Sequence, residues 1–509
     1  MAADETPAPA LARAGVSARV AGASLSKVQR WLREVALKKI DPRTGLYVAD
    51  GHWNYRDTAA DCYPFFVWAA WAVDREILNG PARAVLHAEQ RLCNQVGRIP
   101  VPYDWRAGKP QTAIAHDEMV FQASEYVKDG LIAIVEVTGP DEWFQRMRAI
   151  EDDLWRGARI KTPFGKIPSK NIEVNGEQIQ ALVRLYTMTG EPCYLDWAER
   201  IADYYLADPA FVPNRLRDHG CEIIGGLGLL LGIESEHRPD RAAKYAARLK
   251  RLFDTILTEG CNADGMMYNE IRRRAFGDRA RAFSDGWGYN YVAYLCYDWA
   301  TGRPAYEARV RRVLRALAKP GYRDYPWEGT SIDGWADSVE GALYLLNRLP
   351  VPEGFAWVEH ETAAHIARTA EPDHLWGTMK LEANGVRTVL IHALMHTRGL
   401  TAHPWQPGLE LGAATDAAGT LFVVLRSAQD YAGRLEFDIP RHRIHLGFQK
   451  DWPRMNTLPE WFTVEPERKY AVRALPEGPV RMYTGQQLHN GLAVAVQAGG
   501  ALRLEVARR

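Results

Sequence analysis

A Thr-Gly pair followed by an aromatic residue five positions after the Thr recurs along the chain, as Thr138-Gly139 with Trp143, Thr189-Gly190 with Tyr194, and Thr301-Gly302 with Tyr306. The first two copies are about 50 residues apart and the third lies about two such periods further on, which predicts a degenerate copy between them. Leu231-Gly232, followed by the helix-like stretch Arg238 to Leu257, fills that place. A glycine that closes one helix and an aromatic that locks the start of the next is ordinary chemistry in a single copy. In phase, the copies mean repeated helical hairpins.

Each period holds an apolar-dense helix before the Thr-Gly and an amphipathic, charged one after it. The apolar helices are predicted at 58–73, 112–137, 175–189, 219–233, 285–300 and 333–348, and the amphipathic ones at 25–39, 76–95, 141–156, 192–206, 239–258 and 304–318. A helix apolar on most faces must be surrounded by protein, whereas one with a single apolar stripe faces water on its other side. Six inner helices ringed by six outer ones satisfy both demands, so residues 24–349 are predicted to form an (α/α)6 toroid. Residues 1–23, rich in Ala, Pro, Ser and Gly, are expected to be a mobile tail. After Pro350 the chain shifts to short alternating stretches bounded by Gly, Pro and Asn, such as Gly419 to Leu425, Gly433 to Ile439, His442 to Phe448, Gly491 to Val496 and Ala501 to Val506. That pattern reads as antiparallel strands, and 350–509 is predicted to be a β-sandwich-like domain with one helical interruption near 385–398.

Lys+Arg and Asp+Glu are both 63, and 47% of the residues are hydrophobic and 25% charged. This is the composition of an ordinary globular chain and excludes both a disordered protein and a nucleic-acid binder driven by net positive charge. The longest apolar candidate, Ala59 to Val73, contains Asp61 and Pro64 and is no membrane span, so a soluble protein without a membrane partner is expected. The six cysteines form no CxxC pair and suggest neither a zinc site nor a disulfide scaffold. The N-terminus lacks a basic and apolar leader, which predicts a cytoplasmic protein, or a periplasmic or secreted one if a signal has been removed.

In a toroid the N-terminal ends of the inner helices converge on one funnel, and a buried carboxylate there costs several kcal/mol unless it is paired. Acidic clusters stand at those positions: His116-Asp117-Glu118, Glu173 with Glu177, His219 with Glu222, Asp285-Gly-Trp287-Gly-Tyr289, and Asp333-Gly-Trp335-Ala-Asp337. First-turn capping explains Asp285 and Asp333 more readily than Asp117 and Glu177, which lie inside apolar stretches. Trp (17) outnumbers Phe (14), and Trp53, Trp105, Trp287, Trp327 and Trp335 stand beside these acids, as stacking faces for sugar rings would.

These residues resemble the (α/α)6 glycoside hydrolases and lyases, with the nearest likeness to unsaturated glucuronyl hydrolases. The likeness rests on His116-Asp117-Glu-Met-Val-Phe121, on Glu177 to Tyr186 leading into Thr189-Gly-Glu-Pro-Cys-Tyr194, and on Phe283-Ser-Asp-Gly-Trp-Gly-Tyr289. Two departures stand out: the second acid is Glu177 where the family has Asp, and the middle Asn is replaced by Ala181. The resemblance implies removal of a terminal uronic acid, unsaturated or saturated, from an oligosaccharide, with no metal or organic cofactor. It implies Glu177 as acid/base and Asp117 as its partner, a division that is reversible. His219 joins them as a catalytic candidate, and His116, Glu118, Glu173, Glu222, Asp285, Trp287, Tyr289, Trp335 and Arg56 as substrate-binding candidates. The substrate carboxylate is expected to meet Arg56, Lys170, Arg215 or Arg217, because a fork of donors matches it.

Three rivals remain open. His219-x-x-Glu222 resembles the helix of N-acylglucosamine 2-epimerases, with His116 as the second histidine. A uronate lyase would use His219 or Tyr289 as base, and a glycan-binding protein would need no acid pair at all. His392-x-x-x-His396 has metal-ligand spacing on a helix, but Ala393 replaces the Glu of the metalloprotease motif and a structural role is expected. Gly225-Gly226-Leu-Gly228 follows no strand and is expected to permit close helix packing rather than to cradle a nucleotide.

Overall fold

The structure is a computed structural model that describes residues 7–48, 53–217, 220–271, 282–329, 331–368 and 379–509. It is mainly helical, with antiparallel sheets at the C-terminal end. The apolar helices contact one another in a closed circle: Tyr63–Val73, the continuous His116–Thr138 rod, Ile172–Thr189, Gly220–His237, Trp287–Thr301, Ile332–Arg348, Met379–Thr397, and back to Tyr63–Val73. Met379–Thr397 was expected as an interruption of the β-domain. It instead closes the ring, so that among the described residues the ring has seven inner helices and not six. Apart from three two-stranded hairpins between Asn94 and Ile167, the chain is helical up to Thr397, and the strands of the C-terminal sheets begin at Thr401, well past the expected boundary at 350. No described helix is long and apolar enough to cross a membrane.

The repeat has a local physical cause. In all three copies the Thr hydroxyl donates to the carbonyl four residues back, at Ile134, Leu185 and Tyr297. The following glycine turns out of the helix at φ 76°, 72° and 65°, a backbone that a side chain resists. Trp143, Tyr194 and Tyr306 are then buried under the next helix. Leu231-Gly232 is not a fourth copy: Gly220–His237 runs through it, and Gly232 lies against the Trp452 indole.

Glycines set how closely the inner helices approach. A Cβ on Gly176 would lie 2.3 Å from the Glu222 backbone, one on Gly228 would meet Ala293 at 2.5 Å, and one on Gly288 would meet Gly341 at 2.4 Å. The Gly225-Gly226-Leu-Gly228 stretch is therefore packing surface, as expected. The outer helices bury one stripe each; in Pro239–Glu259 it is Ala242, Tyr245, Leu249, Leu252, Phe253 and Ile256.

The expected tail is structured from residue 7. Pro7–Glu34 is one helix whose Ala10, Ala14, Ala18 and Ala21 are buried. This helix packs on strand Leu409–Thr415 and on Met379–Thr397. Alanine spacing of three to four makes a flat helical face, and Gly412 opposite it lets the backbones touch.

The C-terminal strands form a five-stranded sheet in the order Val480–Thr484, Lys469–Ala474, Ala501–Arg508, Leu421–Ser427, Leu409–Thr415, and a three-stranded sheet of Leu492–Val496, Tyr431–Glu436 and Thr401–His403. The stretch His442 to Phe448, expected as a strand, holds the short helix Arg441–Ile444 and a turn. The segment after it, 452–457, reaches back into the ring. Arg454 binds Glu136, the Met455 carbonyl accepts from Arg184, and Asn456 donates to Asp129 at 3.0 Å. These contacts floor the ring near the C-terminal ends of the inner helices.

Candidate active site

Above this floor, towards the opposite end of the ring, the described residues surround a cavity of about 190 Å3. It is lined by Arg56, Asp61, Glu125, Lys128, Asp129, Glu177, Cys221, Glu222, Tyr289, Glu328, Asp333, Asp337, Glu340, Arg387 and Asn456. Among the described residues, nine carboxyl groups thus face three cations.

The centre of the cavity is built by two helices. In the His116–Thr138 rod, Glu125 and Asp129 are four residues apart and share one face. The rod widens into a π-helical turn over Tyr126–Leu131, the kind of irregularity that re-aims side chains. Gly130 lets the turn Thr58–Asp61 approach, since a Cβ there would stand 2.6 Å from the Ala59 carbonyl, and this brings Asp61 to the wall. From the neighbouring rod comes Glu177, 1% exposed. One oxygen from each of Glu125, Asp129 and Glu177 lies within 4.8 Å of the others.

Their proton affinities diverge. Burial pushes Glu177 well above the usual carboxyl range, and the charges of Asp129 and Glu222 push it further. Glu125 is raised in the same way, first by burial and then by Glu177 and Asp129. Burial would also raise Asp129, but the Lys128 ammonium at 2.6 Å outweighs it, helped by hydrogen bonds from Glu125 and Asn456, and Asp129 is held below its ordinary value. Lys128 also binds Glu222 at 2.7 Å, where burial nonetheless keeps the carboxyl raised. On the opposite wall Arg387 pairs with Asp337 and Glu340, both at 2.6 Å, and the Tyr289 hydroxyl contacts the same two acids at 3.1 and 2.9 Å. Burial, with these acids, lifts the Tyr289 phenol well above 10.

Of the sequence candidates, Glu177, Glu222, Tyr289 and Arg56 line the cavity, and His219 lies outside the described residues. Asp117 does not face Glu177. It is exposed in the first turn of its helix, two turns before Glu125, at the end of the rod where Ala115 and Glu118 are exposed as well. Glu118 is likewise exposed and accepts from Gln122, and His116 is half-buried outside the cavity. Glu173 is a buried first-turn residue beyond the lining, its backbone N–H capped by Asn171. Asp285 accepts from the Gly286 N–H and faces Arg217 at 3.8 Å, the capping reading. Trp287 is core, donating to Ser338, and Trp335 stacks on His365 at 3.9 Å. Trp53 and Trp327 are also core, so Tyr289 is the aromatic among the lining residues, and the expected tryptophan-lined funnel is not formed there.

Glu125, Lys128, Asp129, Glu340 and Arg387 escaped the sequence reading. The legible signal was there: an acid, a base and an acid within five residues of an apolar rod must satisfy one another or a ligand. Arg387 was hidden because its helix was assigned to the β-domain.

No protein-family model and no curated protein matches the chain. Solved structures overlap it at low identity. A sugar epimerase from a ruminal bacterium is 13% identical, with 58% of this chain and 86% of that one covered, at TM-score 0.39. The cellobiose 2-epimerase of Spirochaeta thermophila is 11% identical over 72% of this chain and 96% of that one, at 0.40. A GH127 β-L-arabinofuranosidase from Geobacillus stearothermophilus is 11% identical over 99% and 76%, at 0.36.

Proposed function

We propose that the protein is a glycoside hydrolase whose catalytic carboxyl pair is Glu177, as acid and base, and Asp129, as nucleophile. The observation that carries this reading is the divergence of two neighbouring carboxyl groups, one kept neutral by burial and one kept charged by Lys128. Glycoside cleavage needs that combination, a proton donor for the leaving oxygen and an anion for the sugar cation. The oxygens within 4.8 Å are nearer to the roughly 5–5.5 Å spacing of retaining enzymes than to the roughly 6.5–9.5 Å that admits a water between the acids. Glu177 then delivers its proton to the departing oxygen while Asp129 forms a bond to the anomeric carbon as the glycosidic bond breaks. In the second half Glu177 takes a proton from water, whose oxygen replaces Asp129 on that carbon. Glu125, neutral and hydrogen-bonded to Asp129, fixes its orientation.

Charge selects the sugar. Lys128 and Arg387 are each paired to two lining acids, and Arg56 lies over the Phe121 ring, which leaves a uronate carboxylate poorly matched to nine acids. A neutral or amino-bearing terminal sugar fits better, its hydroxyl or ammonium groups donating to the wall. Tyr289 is held protonated, which speaks against a lyase that uses it as base. His219, the base on which the epimerase reading and the other form of the lyase reading rest, lies outside the described residues.

The test is sugar release from a panel of neutral, amino, uronic and unsaturated uronic glycosides. Glu177→Gln and Asp129→Asn should each lose about 10²–10⁴-fold in kcat, while Asp117→Asn stays near wild type. Wild-type turnover by Glu177→Gln or Asp129→Asn, or new vinylic absorbance in place of sugar release, would overturn the reading.

A further inference from the structure

Outside the cavity lining, three potential ligand atoms converge near the C-terminal end of the Met379–Thr397 helix. His392 and His396 are one helical turn apart and present their Nε2 atoms to the same point, 3.3 Å from each other. Glu359, on the outer helix Pro352–Arg368, completes the cluster with both carboxylate oxygens: Oε2 is 3.2 Å from His392 Nε2 and Oε1 is 2.8 Å from His396 Nε2. We propose that Glu359, His392 and His396 form a binding site for one divalent transition-metal ion of the zinc class, with its fourth position open to water.

The argument is first geometric. Around a tetrahedral ion bound at about 2.0–2.1 Å, adjacent ligand atoms are separated by roughly 3.3–3.4 Å. The His392–His396 and His392–Glu359 separations already match such edges. The His396–Glu359 contact is a hydrogen bond that must open by about half an ångström to admit the ion. Second, the ligand set of two imidazoles and a carboxylate is one that zinc accepts. Third, the surroundings suit a metal. The Nδ1 of His396 lies 3.2 Å from the Ser17 hydroxyl, which can accept its proton and leave the Nε2 lone pair for the ion. The polar contacts of the buried His392 ring run through Nε2 alone, since its Nδ1 has no hydrogen-bond partner among the described residues. Fourth, there is an entry path: the side chains of His392 and His396 are 2% and 11% exposed, but that of Glu359 is 39% exposed, so one side of the cluster faces solvent.

The site has a structural consequence. Ser17 belongs to Pro7–Glu34, so the ion and its neighbours would join three helices, two outer and one inner. The inner one carries Arg387, five residues before His392 and so about 7–8 Å along the axis, and Arg387 holds Asp337 and Glu340 on the cavity wall. With Ala393 where metalloproteases place their general base, the arrangement reads as a clamp on the ring and not as a second hydrolytic centre.

Cobalt and zinc titrations of the chelator-treated, dialysed full chain test this. Wild type should take up one equivalent of Co(II) with the visible absorption of a tetrahedral site, and zinc should displace it and raise the melting temperature. Glu359→Gln and His396→Ala should each weaken cobalt binding by at least about a hundredfold and abolish the zinc-induced rise. Should His396→Ala fold poorly, Glu359→Gln carries the same comparison from the half-exposed side. Failure of wild type to bind one equivalent would overturn the proposal. So would undiminished binding in both variants, which would place the ion at another cluster such as His442, Asp451 and Glu460.

Discussion

Glu136→Gln removes one buried charge and should destabilise the protein by about 3–5 kcal/mol. The Glu136 side chain is fully buried and receives Arg454 at 2.8 and 2.9 Å, Arg184 at 3.1 and 3.0 Å, and the Thr457 hydroxyl at 2.9 Å. Burial by itself would raise its pKa, but Arg454 and Arg184 outweigh burial and bring it from 4.5 down to about 2. A displacement of that size is worth about 3 kcal/mol, in line with the cost of stranding a buried cation. Arg454 keeps Asp451 as a partner at 2.6 Å, whereas the carboxylate that Arg184 binds is Glu136. Glu136→Gln/Arg184→Met should therefore be more stable than Glu136→Gln alone. The sign with pH follows from the lowered pKa. The stabilisation is complete above the unfolded value near 4.5 and is lost as pH falls towards about 2, so the gap between wild type and Glu136→Gln is constant at neutral pH and closes in acid. Urea unfolding followed by circular dichroism at several pH values measures all three quantities. A loss under about 1 kcal/mol, or a double variant no better than the single one, would refute the argument. Against a typical total stability of about 5–15 kcal/mol, the expected loss is large.

Lys128→Met should raise the pKa of Asp129 by removing its ammonium partner. The acidic limb of the kcat/KM profile would then move to higher pH, with the activity deficit largest in acid, as a pH–rate series would show. Gly176→Ala forces a methyl to within 2.3 Å of the Glu222 backbone. It should cost at least about 1–3 kcal/mol and lower kcat by separating Glu177 from Glu222. Gly190→Ala, with nothing near its Cβ, should cost about 1 kcal/mol for its positive φ and leave kcat unchanged. Melting curves and initial rates of the pair separate packing from turn strain.

Periodicity and turn chemistry are local, and what they govern was legible. Thr138, Thr189 and Thr301 each close a helix through bonds within five residues of themselves, so the helical hairpins follow from short stretches of sequence. The apolar density of Gly220–His237 places it inside the ring whatever its neighbours are. Closure of the ring is different. Met379–Thr397 has no copy of the repeat, and its place between Ile332–Arg348 and Tyr63–Val73 is fixed by contacts made across three hundred residues. The alanine face of Pro7–Glu34 looked like a tail because alanine carries little hydrophobic signal, and only tertiary packing on the Gly412 strand, its neighbour Leu421–Ser427 and Met379–Thr397 gives that face something to bury.

The site divides along the same line. Sequence alone marked Glu177 and Glu222 as acids in apolar helices, since a buried carboxylate is costly wherever it stands. Whether an acid points to the cavity, to solvent or to a cap depends on the rotation of its helix against its neighbours. It depends as well on depth along the rod, which leaves Asp117 exposed in the first turn while Glu125 and Asp129, two and three turns on, face inward. It also depends on partners distant in the chain: Asn456 on Asp129, Arg387 on Glu340, and Arg454 on Glu136. Charge interactions reach through space and not along the backbone, so the proton affinities that give these carboxyl groups their roles exist only once the ring has closed.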